Sequence, residues 1–121
     1  MATFRRFEEI EVWKRAMVLV GRVYEETGKG SFRRDFSLRD QTRRAGISIA
    51  LNIAEGSARR TDKEFAQFLF VALGSAAELK AAFYIAKDQR YVDEQTFLKL
   101  YEQIEEISRM ISGLVKYLRQ Q

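Results

Sequence analysis

The sequence predicts an all-α protein, an antiparallel up-down-up-down four-helix bundle. The chain has 121 residues, of which 46% are apolar, which suits one hydrophobic core and one domain over residues 1–121. It contains no proline and only seven glycines, so few signals mark the many turns of a β fold. Apolar residues recur at helical spacing in four segments with short breaks between them. Four helices with short connections pack as a bundle.

The first predicted helix runs from about Glu8 to Thr27, and Gly28 suits its carboxyl end. Apolar residues at helical spacing predict which face of this helix packs into the core. That face is widened by Met17 and Tyr24. Its central positions are Trp13, Ala16, Val20, Val23 and Thr27.

The second predicted helix, from about Ser37 to Ala58, is apolar almost all round between residues 47 and 54. A bundle helix normally buries one face and exposes the other. We therefore predict that a second face of this helix meets another subunit of a homo-oligomer. The third helix supports this, because it carries large apolar residues outside its core stripe. The predicted subunit contacts are Ile47, Leu51, Phe68 and Phe70.

The third and fourth helices carry the clearest start signals and core patterns. Thr61 with Glu64 matches a capping box, and Asp93 is a good N-cap for the fourth helix. In both helices the apolar steps alternate between four and three, the spacing of knobs-into-holes packing. The predicted core of the third helix is Phe65, Leu69, Ala72, Ala76, Leu79, Phe83 and Ala86. That of the fourth is Phe97, Leu100, Ile104, Ile107, Ile111, Leu114 and Leu118.

The absence of cysteine and histidine excludes several chemistries. Disulfides, thiol catalysis, Ser-His-Asp triads and zinc or di-iron sites that need these residues are ruled out. The sequence shows no phosphate-binding glycine loop, so we expect no catalytic residue, no metal site and no cofactor. It has no run of 18 apolar residues, and Met1–Arg6 lacks the apolar stretch of a signal peptide. We therefore expect a cytoplasmic protein that does not cross a membrane.

A polar stripe runs along the largely apolar second helix. Its residues are spaced by three, four, four and three positions, which places them within an arc of about 80°. The stripe is Gln41, Arg44, Ser48, Asn52 and Glu55, with Ser75 and Glu78 of the third helix as candidate partners. Because buried polar groups need hydrogen-bond partners, we interpret the set as a structural network that sets helix register or subunit geometry. A ligand or catalytic pocket and a simply solvated stripe are the alternatives.

Positive charge is concentrated around the second helix. The chain has 21 basic and 17 acidic residues, a net charge of +4. Residues 29–63 hold nine basic and four acidic residues, a net +5, so the remainder carries −1. Two arginine pairs flank this helix about 30 Å apart, where they could grip phosphates without reading bases. The candidate nucleic-acid-binding residues are Lys29, Arg33, Arg34, Arg39, Arg43, Arg59, Arg60 and Lys63.

The second helix contains three strings with a distinctive pattern, Leu38-Arg39-Asp40-Gln41-Thr42-Arg43-Arg44-Ala45, Ser48-Ile49 and Asn52-Ile53-Ala54-Glu55-Gly56. In these strings the chain resembles a known bacterial family, the 23S rRNA intervening-sequence proteins, also called S23-like proteins. The opening is similar as well, at Phe7-x-x-Ile10-x-Val12-Trp13. The third helix matches the family at Lys63-Glu64-Phe65-x-x-Phe68-Leu69 and Ala72-x-Gly74-Ser75-x-x-Glu78-Leu79.

The resemblance implies a four-helix bundle that assembles as a cyclic homo-oligomer, a pentamer. It also relates the chain to the accessory variability protein of diversity-generating retroelements, which is a homopentamer. That relative binds nucleic acid and associates with a reverse transcriptase. For most members of the family no biochemical role is established.

Two functional hypotheses follow from the charge pattern and the resemblance. The first is a non-catalytic homo-oligomer that holds RNA or DNA backbones through rings of basic residues. The alternative is a protein–protein adaptor whose basic surface docks a partner enzyme such as a reverse transcriptase. No RNA-recognition motif, KH loop or helix-turn-helix spacing is evident, so we expect no sequence-specific readout of bases.

Overall fold

The computed structural model describes residues 6–120, which form four α-helices, two short 3₁₀ turns and no strand. The helices are α1 (Glu11–Thr27), α2 (Phe36–Ser57), α3 (Asp62–Asp88) and α4 (Glu94–Arg119). The 3₁₀ turns are Phe7–Glu9 and Phe32–Arg34. The expected cytoplasmic location rests on the N-terminal segment Met1–Arg6, and residues 1–5 of that segment lie outside the described residues.

The helices follow the predicted up-down-up-down order around a shared hydrophobic core. Each helix packs against the next, α1 also packs against α4, and the pair α2–α3 is the most extensive. The Arg33 end of the bundle comprises the turn Phe32–Arg34, the start of α2 and the α3–α4 connection. The Arg60 end comprises the α2–α3 connection, the start of α1 and the end of α4.

Side-chain caps begin three of the helices. The Thr61 hydroxyl accepts the Glu64 backbone N–H at 3.1 Å, and the Asp93 carboxylate accepts the Thr96 N–H at 2.7 Å. These contacts confirm both predicted starts. Asp35 caps α2 in the same way, by accepting the backbone N–H three residues later at 3.1 Å. Each cap satisfies a donor that the helix itself leaves without a partner.

The first helix differs from its prediction in start and in buried face. It begins at Glu11 because Ile10 has an extended backbone after the first 3₁₀ turn. Met17 and Tyr24 are exposed, and Trp13 and Val20 are only half-buried. The buried positions are Val12, Ala16, Leu19, Val23, Glu26 and Thr27. Apolar residues lie on both sides of the line from Ala16 to Val23, so the contacts of the helix with α2 and α4 decide which side is buried.

The predicted core positions of α3 are all buried, and those of α4 are buried with one exception. Leu114 is half-buried, and Val115 takes its place in the core. A straight helix drifts by about 20° per heptad relative to a strict seven-residue repeat. That drift moves the core side of α4 by one position near its end.

Close packing of α2 on α3 depends on Gly56. A Cβ atom at this position would lie 2.8 Å from Cβ of Phe68 and 2.9 Å from Cδ1 of Phe65. Both distances are shorter than van der Waals contact, so a side chain at residue 56 would force the helices apart. Gly56 therefore sets the helix spacing at the Arg60 end.

One described helix, α3, is long and apolar enough to cross a membrane by length and composition alone. The core helix of a bundle passes the same test. In α3 the side opposite the core is apolar too, and we call it the outer face of α3. Its exposed apolar residues are Phe70, Val71, Gly74, Ala77, Ala81, Tyr84 and Ile85.

Candidate nucleic-acid interface

The eight predicted nucleic-acid-binding residues divide between the two ends of α2. The helix has 22 residues and is therefore about 33 Å long. Toward the Arg33 end lie Lys29, Arg33, Arg34, Arg39 and Arg43. At the Arg60 end lie Arg59, Arg60 and Lys63. One chain therefore presents two separate basic surfaces.

Local contacts hold two of the basic side chains at the Arg33 end. The Lys29 ammonium lies 3.2 Å from the Glu26 carboxylate. The Arg39 guanidinium donates to Asp40 at 2.9 Å and to the backbone carbonyl of Arg33 at 3.1 Å. A phosphate at either cation would compete with these acceptors. Both are weaker candidates than their charge alone suggests.

Two further arginines are engaged in the same way. The Arg43 guanidinium donates to the Thr27 hydroxyl at 2.8 Å and lies 4.6 Å from the ring centroid of Tyr24, so it ties α2 to α1. The Arg59 guanidinium donates to the Glu55 carboxylate at 2.6 Å, an i, i+4 ion pair. The role of Arg43 in this structure is helix packing.

The remaining four predicted cations are free to meet an anion. Arg33, Arg34, Arg60 and Lys63 are exposed. Their side chains form no ion pair or hydrogen bond with another residue among those the structure describes. Two of them lie at each end of α2. Free, exposed cations are the residues that can neutralise phosphates at the least cost in lost contacts.

Each end of the bundle also has an exposed phenylalanine ring in contact with a different basic residue, a feature that the charge count did not reveal. The Phe36 ring is 64% exposed, and the Arg39 guanidinium lies 4.8 Å from its centroid. Phe70 is 45% exposed under the guanidinium of Arg119, at 5.1 Å. Each end of the bundle therefore combines basic groups with an accessible aromatic face. The position of Phe36 between Arg34 and Arg39 is a sequence signal for this combination.

The predicted polar stripe forms separate contacts instead of one network. The Ser48 and Ser75 hydroxyls are 2.6 Å apart, and the Asn52 amide donates to the Ser48 carbonyl at 2.8 Å and to its hydroxyl at 3.0 Å. Gln41 donates to Glu78 across the same helix pair. These contacts connect α2 to α3 and agree with a structural role.

Two members of the stripe lie outside that set. Glu55 is exposed and binds Arg59 of its own chain segment. Arg44 is exposed and has no hydrogen-bond or ion-pair partner among residues 6–120. At about 100° per residue both lie at the same edge of the stripe, beyond the positions that contact α3. Arg44 is a free cation that the sequence interpretation had assigned to the network.

The four predicted subunit contacts differ in exposure. Leu51 is 62% exposed and Phe70 is 45% exposed, whereas Ile47 and Phe68 are half-buried. The Arg59 guanidinium covers the Phe68 ring at 4.5 Å from its centroid. Exposed apolar residues therefore lie on α2 and, separately, on the outer face of α3. Within the described residues the outer face of α3 is covered only in part, by Arg119 over Phe70 and by Phe97 against Tyr84.

Every pKa shift found among the described groups leads away from neutrality. The hydrogen bond to Asp35 raises the pKa of the Tyr91 hydroxyl, and the hydrogen bond from Lys80 lowers the pKa of Glu105. A general acid or base needs a pKa near neutral pH. Within residues 6–120 no group of three acidic side chains is placed to hold a metal ion.

The family model of the 23S rRNA-intervening sequence protein matches residues 8–113. The chain belongs to the 23S rRNA-intervening sequence protein family. This confirms the resemblance that the strings of α2 and α3 indicated. The family name refers to rRNA and does not mention a catalytic activity.

A solved structure shares the fold. It is a protein of unknown function of the S23 ribosomal protein family from Bacteroides thetaiotaomicron, with a TM-score of 0.79. The two sequences are 20% identical, and the match covers 87% of this chain and 98% of the other. At this identity the likeness establishes the four-helix fold and nothing more. No curated protein matches the chain.

Proposed function

We propose that this protein is a non-catalytic homo-oligomer that binds RNA or DNA backbones without reading sequence, and so acts as a nucleic-acid scaffold. The observation that carries the proposal is the set of free cations at both ends of α2, Arg33, Arg34, Arg60 and Lys63. Polyanions are the ligands that spaced, solvated cations attract most strongly. The rRNA in the family name agrees with such a ligand.

Oligomerisation would turn these patches into continuous surfaces. The exposed apolar residues of α2 and the outer face of α3 lie on different sides of the bundle. Contact between two different surfaces is heterologous, and it closes into a ring when the rotation permits. We propose a pentamer, the number that the family resemblance implies. Five copies of a chain with net charge +4 carry +20.

The oligomer is tested with Leu51→Glu, measured by light scattering. Leu51 is 62% exposed, so a glutamate there leaves the core intact while placing a charge in the proposed contact. We expect a helical particle of smaller mass. Leu98→Glu is the matched control, because Leu98 is 50% exposed on α4, away from the proposed contacts. An unchanged mass for Leu51→Glu would remove this part of the proposal.

Backbone binding is tested with unrelated RNAs between about 50 and about 200 mM salt. Affinity should fall linearly on a log–log plot. The double variant Arg33→Glu/Arg34→Glu should reduce the steepness of the plot of log affinity against log salt concentration by about two, since each phosphate contact contributes about 0.9 to that slope. Lys99→Glu with Arg109→Glu changes the net charge equally on exposed positions of α4 and should leave the slope nearly unchanged. Affinity that does not respond to salt would refute the phosphate contacts.

The adaptor hypothesis gives a different outcome in the same experiment. If the basic surface docks an acidic protein such as a reverse transcriptase, the Arg33→Glu and Arg34→Glu changes abolish capture of that partner. Retention of RNA by the same variant then stays at the wild-type level. Measuring both with one variant separates the two functions.

A further inference from the structure

The Arg60 end carries an open groove between α3 and α4. Two adjoining cavities of about 350 Å³ and about 460 Å³ share Phe70 and Arg119 in their linings. Each volume lies within the range of about 300 to 1,000 Å³ that is usual for small-ligand pockets. We call this pair of cavities the Phe70 groove.

An aromatic face is accessible within the groove. Phe70 is 45% exposed although the guanidinium of Arg119 lies 5.1 Å from its ring centroid. Leu73, Val115 and Leu118 add apolar surface on the two helices. Such a surface suits a flat, weakly hydrated ring that can lie against the phenyl face.

The groove is also positively charged. Lys63, Lys116 and Arg119 line it, and none of the three forms an ion pair with another described residue. One carboxylate, that of Asp62, lies in the same lining. The ligand that fits is therefore aromatic and carries negative charge beside its ring. Polar side chains that could meet the edge of a base are Gln67, Ser112 and Gln120.

We propose that the Phe70 groove binds a single-stranded segment of nucleic acid, with one unpaired base on Phe70 and the neighbouring phosphates at Lys63, Lys116 and Arg119. This inference rests on the proposed function and narrows it to strands with free bases. A duplex offers the same phosphates but keeps its bases stacked inside, so it cannot use the ring. Lys63 and Arg60 extend the charged path from the groove toward α2.

The proposal assigns Phe70 a use other than the subunit contact predicted from the sequence. Along α3, Phe70 lies on the side of the outer face that turns toward α4, whereas Val71 lies on the side toward α2. Val71 is 53% exposed, so the two neighbours offer a matched pair. Changing them separately distinguishes the groove from the rest of the outer face.

The test compares fluorescence anisotropy titrations with oligouridylate and with an RNA duplex of the same number of phosphates. Phe70→Ala should lower the affinity for oligouridylate by about tenfold, since removing one aromatic stacking contact costs between about fivefold and about 150-fold. Its duplex affinity should stay at the wild-type level. Phe70→Tyr should bind both RNAs as the wild type does. Val71→Ala, which changes the proposed subunit contact and not the groove, should leave the ratio of the two affinities at its wild-type value.

Each of the following outcomes would refute the proposal that an unpaired base binds in the Phe70 groove. If the wild type binds both RNAs and Phe70→Ala leaves both affinities unchanged, backbone binding stands and the stacking site is wrong. If the wild type binds neither RNA, the proposed function fails and the groove proposal fails with it. If Phe70→Ala reduces the particle mass in light scattering, a second copy of the chain occupies the groove instead. Equal weakening for both RNAs would show that Phe70 acts without a base.

Discussion

The two ends of the bundle present their cations in different settings. At the Arg33 end the arginines sit on a 3₁₀ turn anchored by Phe32, which is fully buried and stacks on Tyr91 with 5.2 Å between ring centroids. The Tyr91 hydroxyl donates to the Asp35 carboxylate at 2.9 Å, which joins this turn to the α3–α4 connection. At the Arg60 end the cations border a groove instead.

Under the proposed function, this difference would let one helix serve two kinds of contact. An anchored turn fixes the backbone of Arg33 and Arg34 relative to the rest of the bundle, which suits contacts with a phosphate backbone. A groove with an exposed ring admits a base as well. The two ends therefore differ in what they can bind, although both owe their charge to the same stretch of sequence.

The anchor at the Arg33 end predicts the largest effect on stability. Phe32→Ala removes a fully buried ring that contacts Phe83 as well as Tyr91, so it should lower the free energy of unfolding by about 3–5 kcal/mol. Phe36→Ala is the control in urea denaturation. That ring is 64% exposed, and its loss should cost less than about 0.5 kcal/mol. Equal losses would mean that Phe32 does not anchor the turn.

The close packing of α2 on α3 at the Arg60 end predicts the second-largest effect on stability. Gly56→Ala should lower the free energy of unfolding by about 1–3 kcal/mol, because its Cβ would overlap Phe65 and Phe68. Gly74→Ala is the matched substitution on α3, where a Cβ meets no atom within 4 Å. It should raise stability by about 1 kcal/mol through helix propensity. Thermal unfolding of both variants checks the opposite signs.

A strained residue at the Arg33 end predicts a smaller gain. Arg90 has a φ of 65°, in the left-handed region, where a side chain costs about 1–2 kcal/mol. Arg90→Gly should therefore raise the melting temperature slightly. Gln89→Gly, at a neighbouring φ of −82°, should not. A gain from both glycines, or from neither, would contradict strain at residue 90.

The cap of α4 predicts the smallest effect, visible as a pH dependence. The backbone hydrogen bond from Thr96 lowers the pKa of Asp93 below its ordinary value. The folded state then binds fewer protons, so this stabilisation is present above the ordinary pKa and is lost as the pH falls through the lowered pKa. Asp93→Asn keeps a capping side chain but should flatten the acid side of the stability curve. An unchanged acid side would exclude this contribution.

Local signals explain which parts of the fold were predictable. The caps at Thr61 and Asp93 and the core of α3 follow from residues within a few positions of one another. The buried face of α1 was predicted in part: Ala16, Val23 and Thr27 are buried as expected, but the buried side is rotated toward Leu19 and away from Met17. Leu19 is buried and Met17 is exposed only because α2 and α4 lie where they do.

The candidate site was predictable in composition but not in arrangement. The eight basic positions were identified from charge alone, yet their availability depends on partners such as Thr27 for Arg43. The contribution of α4 to the Phe70 groove was missed, because Arg119 is 49 positions away from Phe70 in the chain. Proximity of this kind leaves no trace in a local pattern.

The number of helices, the start of the last two and the location of the excess positive charge around the second follow from the order of the residues alone. Helical periodicity, capping and charge are properties of neighbouring residues, so they can be read in order. The packing of the helices sets which cations remain free and where an aromatic ring stays exposed. Those properties depend on contacts between helices, in which residues far apart in the chain compete for the same partners and the same space.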